Sequence, residues 1–437
     1  MKFVSKFAVA LSMAAVATMP ATQAFAAKEK KADKAAAPAA PKRVYSKEFI
    51  KAYPVAADLL NKTKDYAAAK AAFPAVVAAI MNEDDRYEAG ILGINIGVQT
   101  KDVALQEQGI DLLLASTTTP PNFKSEYTFR KGAIAYDAKN FASAEKLMVD
   151  AYNLGHRANN IEFLISNAQS QQNRDVEAMT WLQKAIDTDT AAGKLNKSYL
   201  IRAATISAKA KNYAGAANWY KQLLKIENNA DYWHDALAFF DRSLTLNPEE
   251  SLDLLRLMRV TNGLRFQQEY AGYLDSLSYI GVRYPAEAVS VIDEGYAKGV
   301  ISKSNVVFSE KYKEANARLA EDTATLPGTI APAKASAKGM LASLTADSFF
   351  SHKNYKTAKE LYEIAIQKGP VLDKDGKDQT DRTRFRLAMS KTMLGDYAGA
   401  KADFALITGA NRKAVAEYWN MYIDQMTAAP AVVPAAT

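Results

Sequence analysis

The stretch KNYAGAANWYKQLL, residues 211–224, returns in altered form as KNYKTAKELYEIAI, residues 353–366. Both keep Lys-Asn-Tyr, then Ala three residues past the aromatic and Tyr seven past it. Three further stretches follow the same spelling: KDYAAAKAAF from Lys64, KNFASAEKLM from Lys139 and GDYAGAKADF from Gly395. Looser versions run from Asn173 and Tyr284, with the small residue at Ala178 and Ala288 and the bulky one at Leu182 and Ile292. The markers Ala144, Ala178 and Ala216 lie 34 and 38 residues apart, and Ala216, Ala288 and Ala358 lie 72 and 70 apart, two such periods each. A fixed period of this size is the mark of a repeat array rather than of one globular core.

The spelling is that of a helical hairpin. Before the motif runs the apolar rhythm of one helix, as in YLIRAATISAKAKN from Tyr199, and after it that of a second, as in AGAANWYKQLLKI from Ala214. Lys-Asn or Gly-Asp stands between them. Gly, Asn and Asp tolerate the left-handed conformation that ends a helix, and Lys suits its negative end. Tyr213 opens the second helix and packs back on the first. Ala216, one turn on, sits where the helices cross too closely for a larger side chain, and Tyr220 is expected to face the next hairpin.

In these residues the chain resembles the tetratricopeptide repeat (TPR) family, whose pattern has a small residue in the first helix, Gly-Asp-Tyr at the turn, then Ala, an aromatic, Ala and Pro. Ala346, Tyr355, Ala358, Tyr362, Ala365 and Pro370 match it in register; so do Gly132, Ala144 and Ala151, and Ala388, Tyr397, Ala400 and Phe404. The Trp-Leu-Gly signature of the first helix is poorly kept. The resemblance implies an all-α fold, a right-handed α-solenoid of stacked antiparallel hairpins, with seven units within Ser46 to Met426. Stacked hairpins share one continuous core, so the 437 residues need not divide into the several globular domains that length suggests.

Around this array the expected organisation is a signal peptide over residues 1–26, a disordered Lys/Ala/Pro-rich tether over 27–45, an N-terminal array over 46–323, a linker or hinge over 324–340, C-terminal repeats over 341–426 and a disordered tail over 427–437. The signal rests on Lys2 and Lys6, a short apolar run from Phe7 to Met19, and Ala24-Phe25-Ala26, which predicts cleavage after Ala26. Export to the periplasm or outside the cell follows as an expectation. The chain has no Cys, which excludes a disulfide framework, a cysteine nucleophile, cysteine-ligated zinc and a lipid-modified amino-terminal Cys.

The net charge is +7, yet residues 1–45 hold eight Lys/Arg against two Asp/Glu, leaving 47 against 46 in the remainder. A nearly neutral body argues against nucleic acid as a partner. The basic tether is read as a solvated spacer, with weak contact to an anionic envelope surface as the sharper alternative.

Chemistry is sparse. His156, His234 and His352 stand in different units and begin no metal-binding spacing. The acidic loop DKDGKDQTD from Asp373 fails the calcium-loop register, with Gly376 in fourth place rather than sixth. Asp84 and Asp85 are an ordinary carboxylate pair of a helix end. No nucleophile elbow, phosphate loop or zinc-protease helix occurs, so no catalytic residue, cofactor or metal is assigned.

The family resemblance implies that the first helices line a concave groove holding a protein or extended peptide. Its groove positions fall on Phe129, Tyr136, Phe163, Asn167, Ile201 and Thr205. Asn167 matches the family's peptide-holding Asn, while the companion Lys and Arg of its carboxylate clamp are not found at matching positions. The expected function is a non-enzymatic scaffold or adaptor of the periplasm or envelope. The alternatives are an accessory to, or a degenerate form of, a peptidoglycan-acting enzyme, and capture of a small molecule in the superhelix.

Overall fold

The computed structural model describes residues 43–279 and 284–428. The signal peptide, residues 27–42 of the tether and residues 429–437 of the tail lie outside the described residues.

Among the described residues the chain is all helical apart from turns and one isolated bridge between Leu372 and Asp378. Successive helices pack as antiparallel neighbours: α1 (Lys47–Asp58) with α2 (Tyr66–Ala78), α3 (Glu83–Gln99) with α4 (Val103–Ala115), α5 (Pro121–Asp137) with α6 (Phe141–Asn153), α7 (Ile161–Gln171) with α8 (Asp175–Ala191), and α9 (Lys197–Lys209) with α10 (Tyr213–Ile226). Then come α11 (Ala230–Ser243), α12 (Pro248–Val260), α13 (Gln267–Tyr279), α14 (Pro285–Ala297) and the long α15 (Val306–Thr325). After α16 (Ile330–Ala335), the hairpins resume with α17 (Gly339–Ser351) and α18 (Tyr355–Gln367), then α19 (Thr380–Met393) and α20 (Tyr397–Ala405), and α21 (Ala410–Thr427) closes the chain. This is the TPR-like α-solenoid architecture.

The turn grammar is uniform, and its roles differ from those read in the sequence. The left-handed residue is the lysine: Lys64, Lys101, Lys139, Lys211 and Lys353 have φ between 55° and 60°, with Asn173 and Gly395 in the same place in two units. The following Asp65, Asp102, Asn140, Asn212, Asn354 or Asp396 caps the second helix, its side chain accepting from the backbone N–H three residues on. A short polar side chain at the N-cap satisfies a donor left open by the helix start. Lysine is tolerated at positive φ because that cap and the hairpin packing fix the turn around it. Lys101-Asp102 reveals a hairpin that the aromatic-based search passes over, since Val103 stands in the aromatic's place.

The crossing alanines Ala69, Ala144, Ala178, Ala216, Ala358 and Ala400 are fully buried. In α3/α4 glycine does the same service: a Cβ on Gly109 would lie 2.5 Å from the Ile94 nitrogen. The match at Tyr284 fails at its marker, because Ala288 is only half-buried while Glu287 and Val289 turn inward. Tyr220 does meet the next hairpin, with Tyr232 and Phe239 at ring-centroid distances of 6.3 and 6.0 Å.

The segment 324–340, expected as a loop or hinge, is helical over most of its length: α15 runs to Thr325, a 3-10 turn covers Leu326–Thr329, and α16 follows. Leu326 and Ala333 are buried in the same core as α10–α14 and α17–α21. Pro327 and Pro332 fall within the first three residues of their elements, where the continuous helical run tightens from α15 into the 3-10 turn and reopens into α16. The Lys368 Nζ closes the end of α16, donating to the carbonyls of Ala333, Lys334 and Ser336 at 3.1, 2.9 and 2.6 Å. Gly339 then lets α17 touch α18: a Cβ there would lie 2.3 Å from the Ala365 carbonyl oxygen.

The last tether residues are anchored as well. The Arg43 guanidinium lies 3.4 Å from the centre of the Tyr87 ring and pairs with Asp84, whose other oxygen accepts the Val44 N–H. Asp85 is fully buried and accepts from Ser46 N and Met81 N. The two carboxylates thus strap the incoming chain to α3, and backbone donation with Arg43 holds Asp84 below the usual carboxylate range.

Candidate functional site: an open groove and a filled one

The same register position behaves differently in the two halves of the array. Counting back twelve and eight residues from the turn aromatic or its equivalent gives Ile91 and Asn95 on α3, Phe163 and Asn167 on α7, and Ile201 and Thr205 on α9. These are half-buried, and Thr205 is exposed. The equivalents are Ser343 and Asp347 on α17 and Phe385 and Met389 on α19, each no more than 1% exposed. These positions are accessible on α3, α7 and α9, closed on α5, where the twelve-back residue Phe129 is buried, and sealed on α17 and α19.

In the open half the six candidate residues are not equivalent. Phe129 is buried and stacked on His156, with ring centroids 4.4 Å apart and planes 11° apart, so it belongs to the core rather than to a binding face. Burial lowers the His156 pKa, which keeps the ring neutral against Phe129. Tyr136 is half-buried, edge-on to Phe141 at 5.4 Å. Phe163 is half-buried and stacked on Tyr199 at 4.4 Å. Thr205 donates to the Ile201 carbonyl at 2.8 Å.

Sequence reading missed the cations of this groove. Arg202 on α9 donates from Nη2 to Ser170 Oγ on α7 at 2.6 Å, Ser170 donates to Asp175 at 2.7 Å, and Asp175 pairs with Lys209 at 2.6 Å. Donation from Lys209, then from Ser170, holds the Asp175 carboxyl below its usual range. The Tyr136 hydroxyl, raised by burial, is drawn down by the Arg202 charge, which places the two side chains in one electrostatic neighbourhood. The row therefore offers half-buried aromatic and aliphatic surface with a fixed guanidinium and ammonium.

The filled half is an ion network that no motif announced. Asp347 on α17, 1% exposed, accepts from Tyr362 at 2.6 Å, Arg386 Nη1 at 2.9 Å, Tyr284 at 3.1 Å and Arg382 Nη2. Asp253 on α12 accepts from Arg412 at 2.6 Å, Arg386 Nε at 3.1 Å and Arg256 at 3.3 Å. Glu287 on α14 holds Arg256 through Nε at 2.9 Å and Nη2 at 2.6 Å, and accepts from Tyr273 at 2.7 Å. Glu249 meets Arg382 at the rim. Burial alone would raise these carboxyl pKa values. For Asp347 the charges of Arg382 and Arg386, and for Asp253 those of Arg386, Arg412 and Arg256, outweigh it and hold both groups ionised. Four guanidinium groups and four carboxylates balance. The signal available in the sequence was the pair Arg382 and Arg386, four apart on an otherwise inward face of α19.

The remaining titratable features are structural. His234 is clamped between Asp235 at 2.8 Å and Glu269 at 2.7 Å; burial alone would lower its pKa, and the two carboxylates instead raise it to about 9. His352 pairs with Asp322 at 2.5 Å. Asp373 spends its oxygens on Asp375 N, Lys377 N and Gln379, folding its own loop. Among the described residues no group of His, Asp or Glu is arranged to hold a metal ion, and no helix is long and apolar enough to cross a membrane.

No family model matches the chain, and no curated protein does. Solved structures that match include a Pseudomonas aeruginosa PilF structure, 14% identical over 54% of this chain and 92% of that one, with a TM-score of 0.25. The TPR2AB domain of yeast Sti1 in complex with an Hsp90 peptide is 16% identical over 69% and 96%, with a TM-score of 0.21. A human IFIT1 dimer with m7Gppp-AAAA is 12% identical over 85% and 81%, with a TM-score of 0.21. At these scores the likeness carries no argument about ligand or partner, and the hairpin array stands on its own register.

Proposed function

We propose that the chain is an exported, non-enzymatic scaffold of the periplasm or cell envelope that holds a protein or extended peptide along α3, α7 and α9. The observation that carries this reading is the contrast at equivalent positions. Side chains that are sealed on α17 and α19 are accessible as Asn95, Phe163, Asn167, Ile201 and Thr205 on the earlier helices. An inner row with half-buried rings, amides and the Arg202–Lys209 cations suits a backbone in extended conformation, which needs polar partners at intervals between apolar contacts. Export rests on the sequence of residues 1–26 alone.

The test is affinity capture from envelope extract with the chain starting at Ala27. A protein recovered by the wild type and lost with Asn167→Ala plus Ile201→Ala, both folded by circular dichroism, supports the groove. Recovery unchanged by that double variant moves the site elsewhere. Turnover of cell-wall material by the isolated chain overturns the non-enzymatic reading, and stabilisation by a small molecule with no protein captured overturns the scaffold.

A further inference from the structure

We propose that Arg382, Arg386 and Arg412 form a carboxylate-binding site, held in this state by the chain's own Glu249, and that an acidic side chain of a partner protein takes Glu249's place. Three guanidinium groups converge on one oxygen, Glu249 Oε2: the Arg382 Nε bonds it directly, and the outer nitrogens of Arg386 and Arg412 stand 4.0 Å away. That separation is too long for a hydrogen bond. Arg386 is fully buried, and its Nη2 has no hydrogen-bond acceptor. A buried donor without a partner is costly, so the cradle holds more donor capacity than its resident uses.

Glu249 is also the one carboxylate of the network free to leave. Its side chain is 26% exposed, against 2% for Asp253, 0% for Asp347 and 6% for Glu287. Each of the other three is fixed by at least two donors from different helices, whereas Glu249 has one close partner, Arg382. When it swings out, the network is left one negative charge short and takes an anion to restore balance. A carboxylate arriving from outside is not constrained by the first turn of α12. It can place one oxygen on the Arg382 Nε and the second toward the Arg386 Nη2, so that each oxygen meets a charged donor of its own. The site lies on α12, α19 and α21, apart from the open groove, and does not depend on what that groove binds.

The experiment uses the chain starting at Ala27, melted in sodium acetate against sodium chloride at equal ionic strength. Glu249→Ala removes a carboxylate and one methylene, the volume of acetate. Wild type should gain on the order of 2 °C at saturating acetate. Glu249→Ala should start lower, recover with acetate, and half-saturate at an acetate concentration roughly tenfold lower because the internal competitor is gone. Poly-L-glutamate should compete with acetate and poly-L-lysine should not. Glu249→Gln, close in shape, should show the same acetate response if the alanine variant does not fold. Acetate and chloride acting alike on all three chains, or the surface variant Glu314→Ala showing the same tenfold drop in half-saturating acetate as Glu249→Ala, overturns the site. Rescue of Glu249→Ala without any response of the wild type overturns displacement, because Glu249 is then a fixed strut. Loss of partner capture in the groove variants, with the acetate response intact, touches the scaffold reading alone.

Discussion

Asp347→Asn is the sharpest test of the filled half, because the substitution keeps shape and changes only charge and one atom's hydrogen-bond role. Four donors meet the two Asp347 oxygens, from Tyr284, Tyr362, Arg382 and Arg386. Asparagine offers one acceptor oxygen and turns an NH2 toward one tyrosine hydroxyl, which can reverse to accept from it, and one guanidinium, which cannot. Arg386 retains Asp253 as a counter-charge, while Arg382 is left with the rim carboxylate of Glu249. Removing one partner from a buried ion pair costs about 3–5 kcal/mol, and the remaining pairs place this case at the lower end, near 3 kcal/mol. Tyr362→Phe, which withdraws one donor and leaves the charges matched, should cost about 1–2 kcal/mol. Urea denaturation is the assay, since guanidinium salt would screen the network. Because the folded carboxyl is held below its ordinary range, its contribution is present above the unfolded value near about 4 and fades as pH falls below it. The difference between wild type and variant should therefore be constant from pH 5 to 8 and shrink toward pH 3. A loss under about 1 kcal/mol at pH 7, or a difference that grows on acidification, would refute the argument that this cluster is a buried, mutually dependent set of charges.

Three further outcomes follow from named contacts. Ala216→Leu and Ala358→Leu should each destabilise by about 1–3 kcal/mol through overpacking of a closed crossing, whereas Ala214→Leu, exposed on the same helix as Ala216, should stay within about 0.5 kcal/mol; equal effects in urea melts would show the register to be wrong. His234 has a folded pKa raised to about 9 from an unfolded value near about 6.5, so its clamp is fully present below pH 6.5 and lost as pH rises toward 9, up to about 3 kcal/mol; His234→Gln should remove that alkaline slope from the stability profile and, because His234 also holds Glu269 below its usual range against burial, soften the acid limb. Lys368→Met withdraws the ammonium from three carbonyls at the end of α16, at about 1–2 kcal/mol, and amide exchange in 326–338 should quicken ahead of exchange in α18.

What the sequence made legible was whatever repeats. An alanine at a crossing and a short polar residue at a turn are imposed by local geometry, so Ala69 through Ala400 could be found by spacing alone. The turn chemistry was legible in position and misassigned in role, because composition favours Asn for positive φ while the structure uses Asn as the cap and lets Lys64, Lys101, Lys139, Lys211 and Lys353 take the left-handed place. The 324–340 segment misled for a similar reason: Pro and Gly read as breakers, yet both prolines stand where the helical run changes pitch and Gly339 serves a close approach to Ala365. Of the groove candidates, Tyr136 stands off the register shared by the others, where Ala133 falls instead, and Phe129 is core because His156 covers its face. The ion network was invisible because its members sit far apart in the chain, Asp253 and Arg412 by 159 residues. A charged residue on an amphipathic helix ordinarily signals the solvent side, and only closure of the array turns Arg382 and Arg386 inward.

Closure is also what gives the two halves different cores. A repeat array ends in two apolar faces that must be covered. At the start, Arg43 on Tyr87 and Asp84–Asp85 on the backbone tie the chain ahead of α1 to α3, while Ile50 and Val55 on α1 stay exposed. At the other end α21 does not simply cover α20. It reaches back across the array, with Lys221 on Glu417 at 2.7 Å, Gln425 on the Leu224 carbonyl at 2.7 Å, Phe240 against Tyr418 at 4.9 Å and Arg412 on Asp253. The consequence is visible in the cores: one continuous cluster runs from Leu224 to Ile423, while the preceding helices bury their apolar residues in four smaller clusters, one seam after another. The ions buried in the larger cluster cannot part cheaply, since no water is there to replace a lost partner. The accessible row of Asn95, Asn167, Ile201 and Thr205 therefore lies on the half whose cores are separate seams, and the Glu249 site lies on the half joined by buried charge.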